Sequence, residues 1–457
     1  MKVIPPLDKD FLPIEMACRE YASAVSKCPD RIRVCVNVER NLGYCDYFEM
    51  EIFPENEQWA WTEAITDRYL KSMLWCRGGW RITIYGSKKL YAAIQRNYAP
   101  EGSRAFDADF MTTVYEKPFE VRYTENLSDA KKRRNGEKSV GKHLSGCRIG
   151  FDAGGSDRKA SAVVEGQSVF SEEIVWSPKT QTDPEYHFQG ILEGMKAAAS
   201  HLPRVDAIGV STAGVCVDNK IMVASLFMKV DKTKHKARMN NIYLDAAREI
   251  GPDIPLEVAN DGDVTALAGS MELGCGNVLG IAMGTSEAGG YVNKDMQLMG
   301  WLNELAFVPV DLNRGAAVDE WSGDYGCGVK YFSQDGAIRL AEAAGIALEE
   351  SLTPGEKLKE IQRCFREGNR EAAAIYQTIG AYLGYTLAWY RRFYEIDHVL
   401  LLGRVTSGEG GPIIKEWAEK VLREEFDGPG EEIRLHLPDE HSRRVGQSIA
   451  AASLAEA

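Results

Sequence analysis

The sequence predicts an α/β protein of two lobes preceded by a small α+β domain. Three observations lead there. From residue 147 onward, apolar strands alternate with helical periodicity, as in sheets covered on both faces. Two stretches, near 147 and near 277, open alike, with an apolar strand running into a glycine turn. Before them lies a polar, basic break, ENLSDAKKRRNGEKSVGKHLSG (125–146), which reads as a linker.

Each part has its own signature. Within residues 1–124, alternation predicts strands at Arg31–Glu39, Tyr44–Phe53, Arg81–Tyr85 and Val114–Tyr123, with helices near Thr62–Leu74 and Lys88–Asn97. Trp59, Trp61, Trp75 and Trp80 fall here and read as core. The 17 Lys plus Arg balance 18 Asp plus Glu in these residues, whereas a DNA-binding module would be basic. Residues 147–258, closed by the C-terminal segment 441–457, form the first expected lobe. Strands near 147–152, 160–166 and 169–175 precede a helix near 184–201. A strand at Ala207–Ser211, a helix near Ile242–Glu249 and a strand at Leu256–Ala259 follow. Residues 259–440 form the second expected lobe, opening with a strand at Asn277–Met283, and a cleft is expected between the lobes.

Composition excludes several classes. The chain has 457 residues, 44% hydrophobic and 26% charged, with net charge −13. It is neither disordered nor a general binder of nucleic acid or membrane surfaces. Ten cysteines without CxxC pairs suit a reducing, cytoplasmic setting. The N-terminus lacks the apolar core of a signal peptide.

Chemistry concentrates at the glycine turns. In CRIGFDAGGSDRKASAVVEG (147–166), a strand delivers Asp152 into Gly154, Gly155 and Ser156, with Lys159 on the return strand. The glycines are expected to take positive φ and let backbone approach an anion. Asp152 suits a hydrated Mg²⁺, and Lys159 suits phosphate neutralisation. A plain Gly-Gly hairpin is the alternative. The second turn, Gly284-Thr285-Ser286-Glu287-Ala288-Gly289-Gly290, repeats the logic, and the two turns together could grip a polyphosphate. Glu287 is awkward there, because a carboxylate repels phosphate oxygens. Between the two, Asn260, Asp261 and Asp263 follow a strand and open a small-residue helix. An Asp at a strand's carboxyl end can take the proton of an attacking hydroxyl; capping the helix is the alternative for Asp261 or Asp263. A third turn, Gly403-Arg404-Val405-Thr406-Ser407, can lie flat against an adenine or ribose.

In this order the motifs resemble the actin-like ATPase superfamily and, within it, the ROK family of sugar kinases and sugar-responsive repressors. The resemblance covers residues 147–457 and implies a two-lobed actin-like (ribonuclease H-like) fold. It implies that Asn260 binds sugar, that Asp261 is the catalytic base and that Glu304 is a sugar-hydroxyl ligand. The phosphate motifs fall at Asp152–Lys159 and Gly284–Gly290, and the adenosine motif at Gly403–Ser407. Ile208–Asp218 resembles the strand and turn before the sugar loop, and Gly446–Ala452 the closing helix. The implied cofactors are ATP and Mg²⁺, and the implied partner is a sugar-like small molecule; a homodimer is compatible with this. Departures are equally specific. Phe307 stands at a histidine position and Val329 at a carboxylate position. Glu287 replaces a glycine, and Arg404 enters the adenosine turn. Only Cys327 remains of a cysteine-rich zinc knot, so no zinc is expected. The expected activity is ATP-dependent phosphorylation of a sugar hydroxyl. The alternatives are a catalytically inactive sugar-sensing regulator and an ATPase that activates a partner enzyme.

Overall fold

A computed structural model describes residues 1–135, 140–426, 432–438 and 440–457. The chain forms two compact units, one of Met1–Asn135, Ile281–Gly289 and Trp301–Leu437, the other of Gly136–Gly280, Gly290–Gly300 and Pro438–Ala457. Among the described residues no helix is long and apolar enough to cross a membrane.

The first unit begins with β1 (Ile32–Glu39), β2 (Cys45–Ile52), β3 (Arg81–Tyr85) and β4 (Glu120–Thr124), a sheet of order β2-β1-β3-β4. Three of the four expected strands and both helices are present here. The expected strand at Val114–Tyr123 is instead the end of a helix, Ala105–Tyr115, followed by β4. The apolar spacing of Phe106, Phe110, Met111 and Val114 is helical, and it overrides the alternation downstream. Of the four tryptophans only Trp75 is fully buried; Trp59 and Trp80 lie beneath Lys89 and Arg81.

Residues 1–124 do not stand apart as a separate domain. Their long helix, Trp59–Arg77, carries Arg68 and Lys71, which meet Asp324 at 2.5 and 2.9 Å. Arg104 Nη1 reaches the same carboxylate at 2.6 Å and also pairs with Asp67. Burial opposes charge on Asp324, yet Lys71, Arg104 and Arg68 hold its carboxyl well below the usual range. Glu15 pairs with Arg392, and Tyr382 donates to Asp8 at 2.6 Å. Composition shows each of these charges but not its remote partner.

The expected linker is also tethered. Cys45 and Arg134 exchange backbone hydrogen bonds, and Lys131 N donates to the Asn37 side chain. Further on, Gly141 and His143 donate to Leu454 and Ser453 carbonyls. Residues 136–139 of that segment lie outside the described residues.

The second unit contains β5 (Cys147–Ala153), β6 (Asp157–Val164), β7 (Gln167–Val175), β8 (Ala207–Thr212), β9 (Val215–Val217), β10 (Lys220–Val223) and β11 (Leu256–Asn260). The five-stranded sheet has order β11-β8-β5-β6-β7, and β9 and β10 form a separate hairpin. β5, β8 and β11 are parallel, whereas β6 and β7 return antiparallel. Ile149, Phe151, Ile208 and Val210 pack with Ile191, Met195 and Tyr243 from two helices, Pro184–Ala199 and Ile242–Ile250.

The other face of this sheet takes the C-terminal helix, Glu440–Ala452. Gly150 and Gly209 are register partners on β5 and β8. A Cβ on Gly150 would come 2.3 Å from Ser448 O, and one on Gly209 1.7 Å from Ala451 O. Two adjacent glycines therefore form the slot into which the helix backbone settles. Helix Asp261–Leu273 packs against the same C-terminal helix. The unit consequently runs to Gly280 rather than ending at 258, because burying this helix needs that partner.

β12 (Val278–Met283), β13 (Glu287–Val292), β14 (His398–Leu402) and β15 (Arg434–His436) make a sheet of order β13-β12-β14-β15. The boundary between units falls within the β12–β13 hairpin. Replacing Gly209 with Ala is expected to cost about 1–3 kcal/mol by overpacking. A urea titration checks this, and an unchanged midpoint would exclude the close approach.

Candidate functional site

Three parallel strands of the second unit end together. Their registers align Asp152 on β5 with Ser211 on β8, and Ser211 with Ala259 on β11. Asn260 and Asp261 follow at once, where the chain turns from strand into helix. Ligands of open α/β sheets bind beyond such carboxyl ends.

Asn260 is the cap of the helix that follows. Its Oδ1 accepts from Gly262 N at 2.7 Å, and its Nδ2 donates to Gly214 O at 2.8 Å. The capping role considered for the two aspartates thus falls to Asn260. Asp263 is buried and accepts from Tyr291 N at 3.1 Å, which ties the helix start to β13. A Cβ at Gly290 would stand 2.1 Å from Gly262 O, so these backbones touch. Asp261 is left with one oxygen on its neighbour's amide, Gly262 N at 3.0 Å.

Asp261 is half-buried. Burial first, and the Asp152 charge second, push its carboxyl up to about 6. Burial likewise raises Asp152, against the hydrogen bond from Ser211 Oγ at 2.7 Å and the nearby Lys159. The two carboxylates end β5 and β11, the parallel strands that flank β8 in the sheet.

Around Asp152 the turn differs from expectation. Neither Gly154 nor Gly155 has positive φ. Glycine is required by space instead, since a Cβ on Gly154 would meet Asp157 O at 2.7 Å. Trp176 Nε1 donates to Gly154 O at 2.8 Å and fixes the turn. Ser156 is exposed and donates to Asp157. Lys159 is the register partner of Asp152 and pairs with Glu173 at 3.5 Å. It stands beside the pair as a partly committed cation.

The remaining candidates lie in the first unit. Thr285 and Ser286 are exposed at a hairpin tip closed by Gly284 N donating to Ser286 O. Gln334 N donates to Gly284 O at 2.8 Å. Glu287 does not face this exposed tip. It is buried against Gly328 and Tyr390, and burial pushes its carboxyl well above the usual range. Gly403 takes φ 94° and would meet Met283 O at 2.4 Å if it carried a Cβ, so glycine is obligatory there. Arg404 is exposed, and its carbonyl accepts from Gln362 Nε2 and Ser407 Oγ. Glu304 is half-buried; its backbone N donates to Trp75 O at 3.1 Å. Phe307 packs at 4.3 Å on Trp75 and also meets Phe106 and Phe110. Cys327 is buried, and burial raises its thiol to about 11. No group of three or more metal-ligating side chains occurs among the described residues. Sequence reasoning missed Ser211, whose register with Asp152 becomes visible only once β5 and β8 are paired.

Paired carboxylates beyond parallel strands, with glycine hairpins and a closing small-residue helix, define a member of the actin-like, two-lobed α/β class. The ROK family model matches residues 148–453. The chain belongs to the ROK family. No curated protein matches. Among solved structures it is similar to the ROK hexokinase of Thermus thermophilus. Identity is 17%, coverage 67% of this chain and 97% of that one, and the TM-score 0.51. It is equally similar to a ROK-family transcriptional regulator described as a homologue of the E. coli MLC protein. There identity is 17%, coverage 68% and 79%, and the TM-score 0.51. The similar structures thus include a hexokinase and a transcriptional regulator.

The raised Asp261 has a consequence for stability. An acid whose carboxyl is higher folded than unfolded destabilises the fold once it ionises. The cost is absent below about pH 4 and complete above about pH 6, at most about 3 kcal/mol for two units. Asp261→Asn keeps an acceptor for Gly262 N, so it should raise the thermal midpoint by a few degrees at pH 7.5. At pH 3.5 the two proteins should melt together. Thermal melts at both pH values decide this.

Proposed function

We propose that this protein transfers a phosphoryl group from ATP to a hydroxyl of a sugar or sugar derivative, with Asp261 as general base. The Asp152–Asp261 pair is the observation that carries the reading. A base poised at about 6 is mostly ionised at neutral pH yet strong enough to take a hydroxyl proton. Asn260 is fixed by two hydrogen bonds beside it and orients the acceptor. Asp261 then holds the proton at a carboxylate oxygen as the hydroxyl oxygen attacks phosphorus.

The donor set also fits Mg²⁺. Two carboxylates that favour protonation when alone favour a divalent cation when offered one, and Mg²⁺ keeps its waters while using one or two carboxylates. Asp152 would hold it through water, oriented by Ser211. When bound, Mg²⁺ neutralises phosphate oxygens. The exposed Thr285–Ser286 tip and the Gly403 turn are the proposed contacts to phosphate and adenosine. Glu304 is a proposed contact to the sugar.

A second reading, a sugar-responsive regulator without turnover, draws on the equal likeness to a transcriptional regulator and on Phe307. The two readings part experimentally. ATP turnover is measured with a sugar panel for wild type, Asp261→Asn and Asp263→Asn. A kinase should lose about 10²–10⁴-fold in kcat in the first variant. Asp263→Asn retains an acceptor for Tyr291 N, so it should lose far less. The acidic limb of wild-type kcat/KM should fall near pH 6. Absence of turnover with every sugar would overturn the kinase reading and leave the regulator.

A further inference from the structure

The basic run Lys131–Arg134 is exposed, yet it is pinned to the fold. Arg134 pairs through its backbone with Cys45, which lays the run along the N-terminal sheet. Beneath it lies Asp46, 1% exposed. Three guanidinium groups converge on that single carboxylate: Arg40 Nη2 at 3.2 Å, Arg77 Nη1 at 3.3 Å and Arg133 Nε at 3.6 Å. The adjacent acid, Glu39, is already shared by Lys131 and Arg81. Among the described residues the trio therefore carries two positive charges beyond Asp46.

Two of these cations are taken out of water. Arg40 and Arg77 are each 4% exposed, and among the described residues the Nε of each has no hydrogen-bond partner. Burial lowers the Arg77 pKa despite Asp46, and Arg133 and Arg40 lower it further. The Arg77 plane is held rigidly, with its centre 3.3 Å from the Trp301 ring centroid and an Nη2–H donated to Phe393 O. Arg133, with its side chain 46% exposed, opens the cluster to solvent. Buried, oriented guanidinium forks short of negative charge are the arrangement that recognises a phosphate dianion. A chain of net charge −13 has concentrated cations here.

We propose that Arg40, Arg77 and Arg133 form an anion site for the phosphate group of a small phosphorylated molecule, entered from the Arg133 side. This site is built within the first unit and does not depend on the phosphoryl-transfer reading.

The test is thermal melting of the full chain at pH 7.5 with inorganic phosphate or glucose 6-phosphate, against potassium chloride of matched ionic strength. Wild type should be stabilised by the phosphate probes beyond chloride, rising with ligand as RT ln(1 + [L]/Kd). Greater stabilisation by glucose 6-phosphate would identify an ester ligand, and equal stabilisation free phosphate; both support the site. Arg133→Ala, a change at an exposed side chain, should weaken the apparent affinity about tenfold. Asp46→Asn removes the competing carboxylate, so phosphate should stabilise it more than it does wild type, which loss of structure alone would not produce. No stabilisation of wild type beyond chloride would overturn the proposal. So would an undiminished response in Arg133→Ala, which would assign binding to another place.

Discussion

The candidate site depends on how closely backbones approach one another in the second unit. Gly150 and Gly209 admit the C-terminal helix until its carbonyls occupy the space a methyl group would need. Gly194 does the same for Phe151, and Gly290 for the turn at Gly262. Such contacts leave little freedom to slide, because interiors are packed at the density of organic crystals. The strand ends bearing Asp152, Ser211 and Asn260 are thereby fixed in one row. A one-residue slip would send each side chain to the opposite face of the sheet.

Within that frame the two aspartates are held where they cost stability. Burial raises both, and the Asp152 charge adds to the rise of Asp261; Ser211 Oγ and Gly262 N answer them with hydrogen bonds. A fold selected for stability alone would place apolar or amide groups there. Desolvated carboxylates at the ends of the parallel strands flanking β8 are a pattern that clusters at functional sites. Asn260, not Asp261, caps the helix that follows.

Much of this was legible in the sequence because it is local. Asp152 and Asn260–Asp261 announce themselves as carboxylates at the ends of apolar strands, and the strands that carry them lie within a few residues of expectation. Other features are set by remote partners. The registry of Ser211 with Asp152 requires strands 59 residues apart to pair. Gly154 and Gly155 look like positive-φ glycines in one dimension but are small for lack of space. The polar stretch 125–146 resembles a linker because its hydrogen bonds run to Asn37, Cys45 and the chain's end, none of them adjacent in sequence. The unity of residues 1–135 with 301–437 rests on buried ion pairs such as Arg68–Asp324, and composition cannot show which charges meet.

That same packing explains why this chain departs from the family pattern where it does. Phe307 lies against Trp75, and the backbone of Asn303 and Glu304 is held by the Cys76 and Trp75 carbonyls. Glu287 acts electrostatically on Cys76. Cys327 lies close enough to Lys71 and Arg68 for their charges to act on its thiol. Three of the five departures, Phe307, Glu287 and Cys327, therefore border one element, helix Trp59–Arg77. A histidine at 307 would have to be polar inside an aromatic cluster, and a metal knot around Cys327 would compete with a buried ion network. The substitutions read as accommodation of the N-terminal region rather than scattered erosion. The carboxylate pair, built wholly from the other unit, has kept each member of its set.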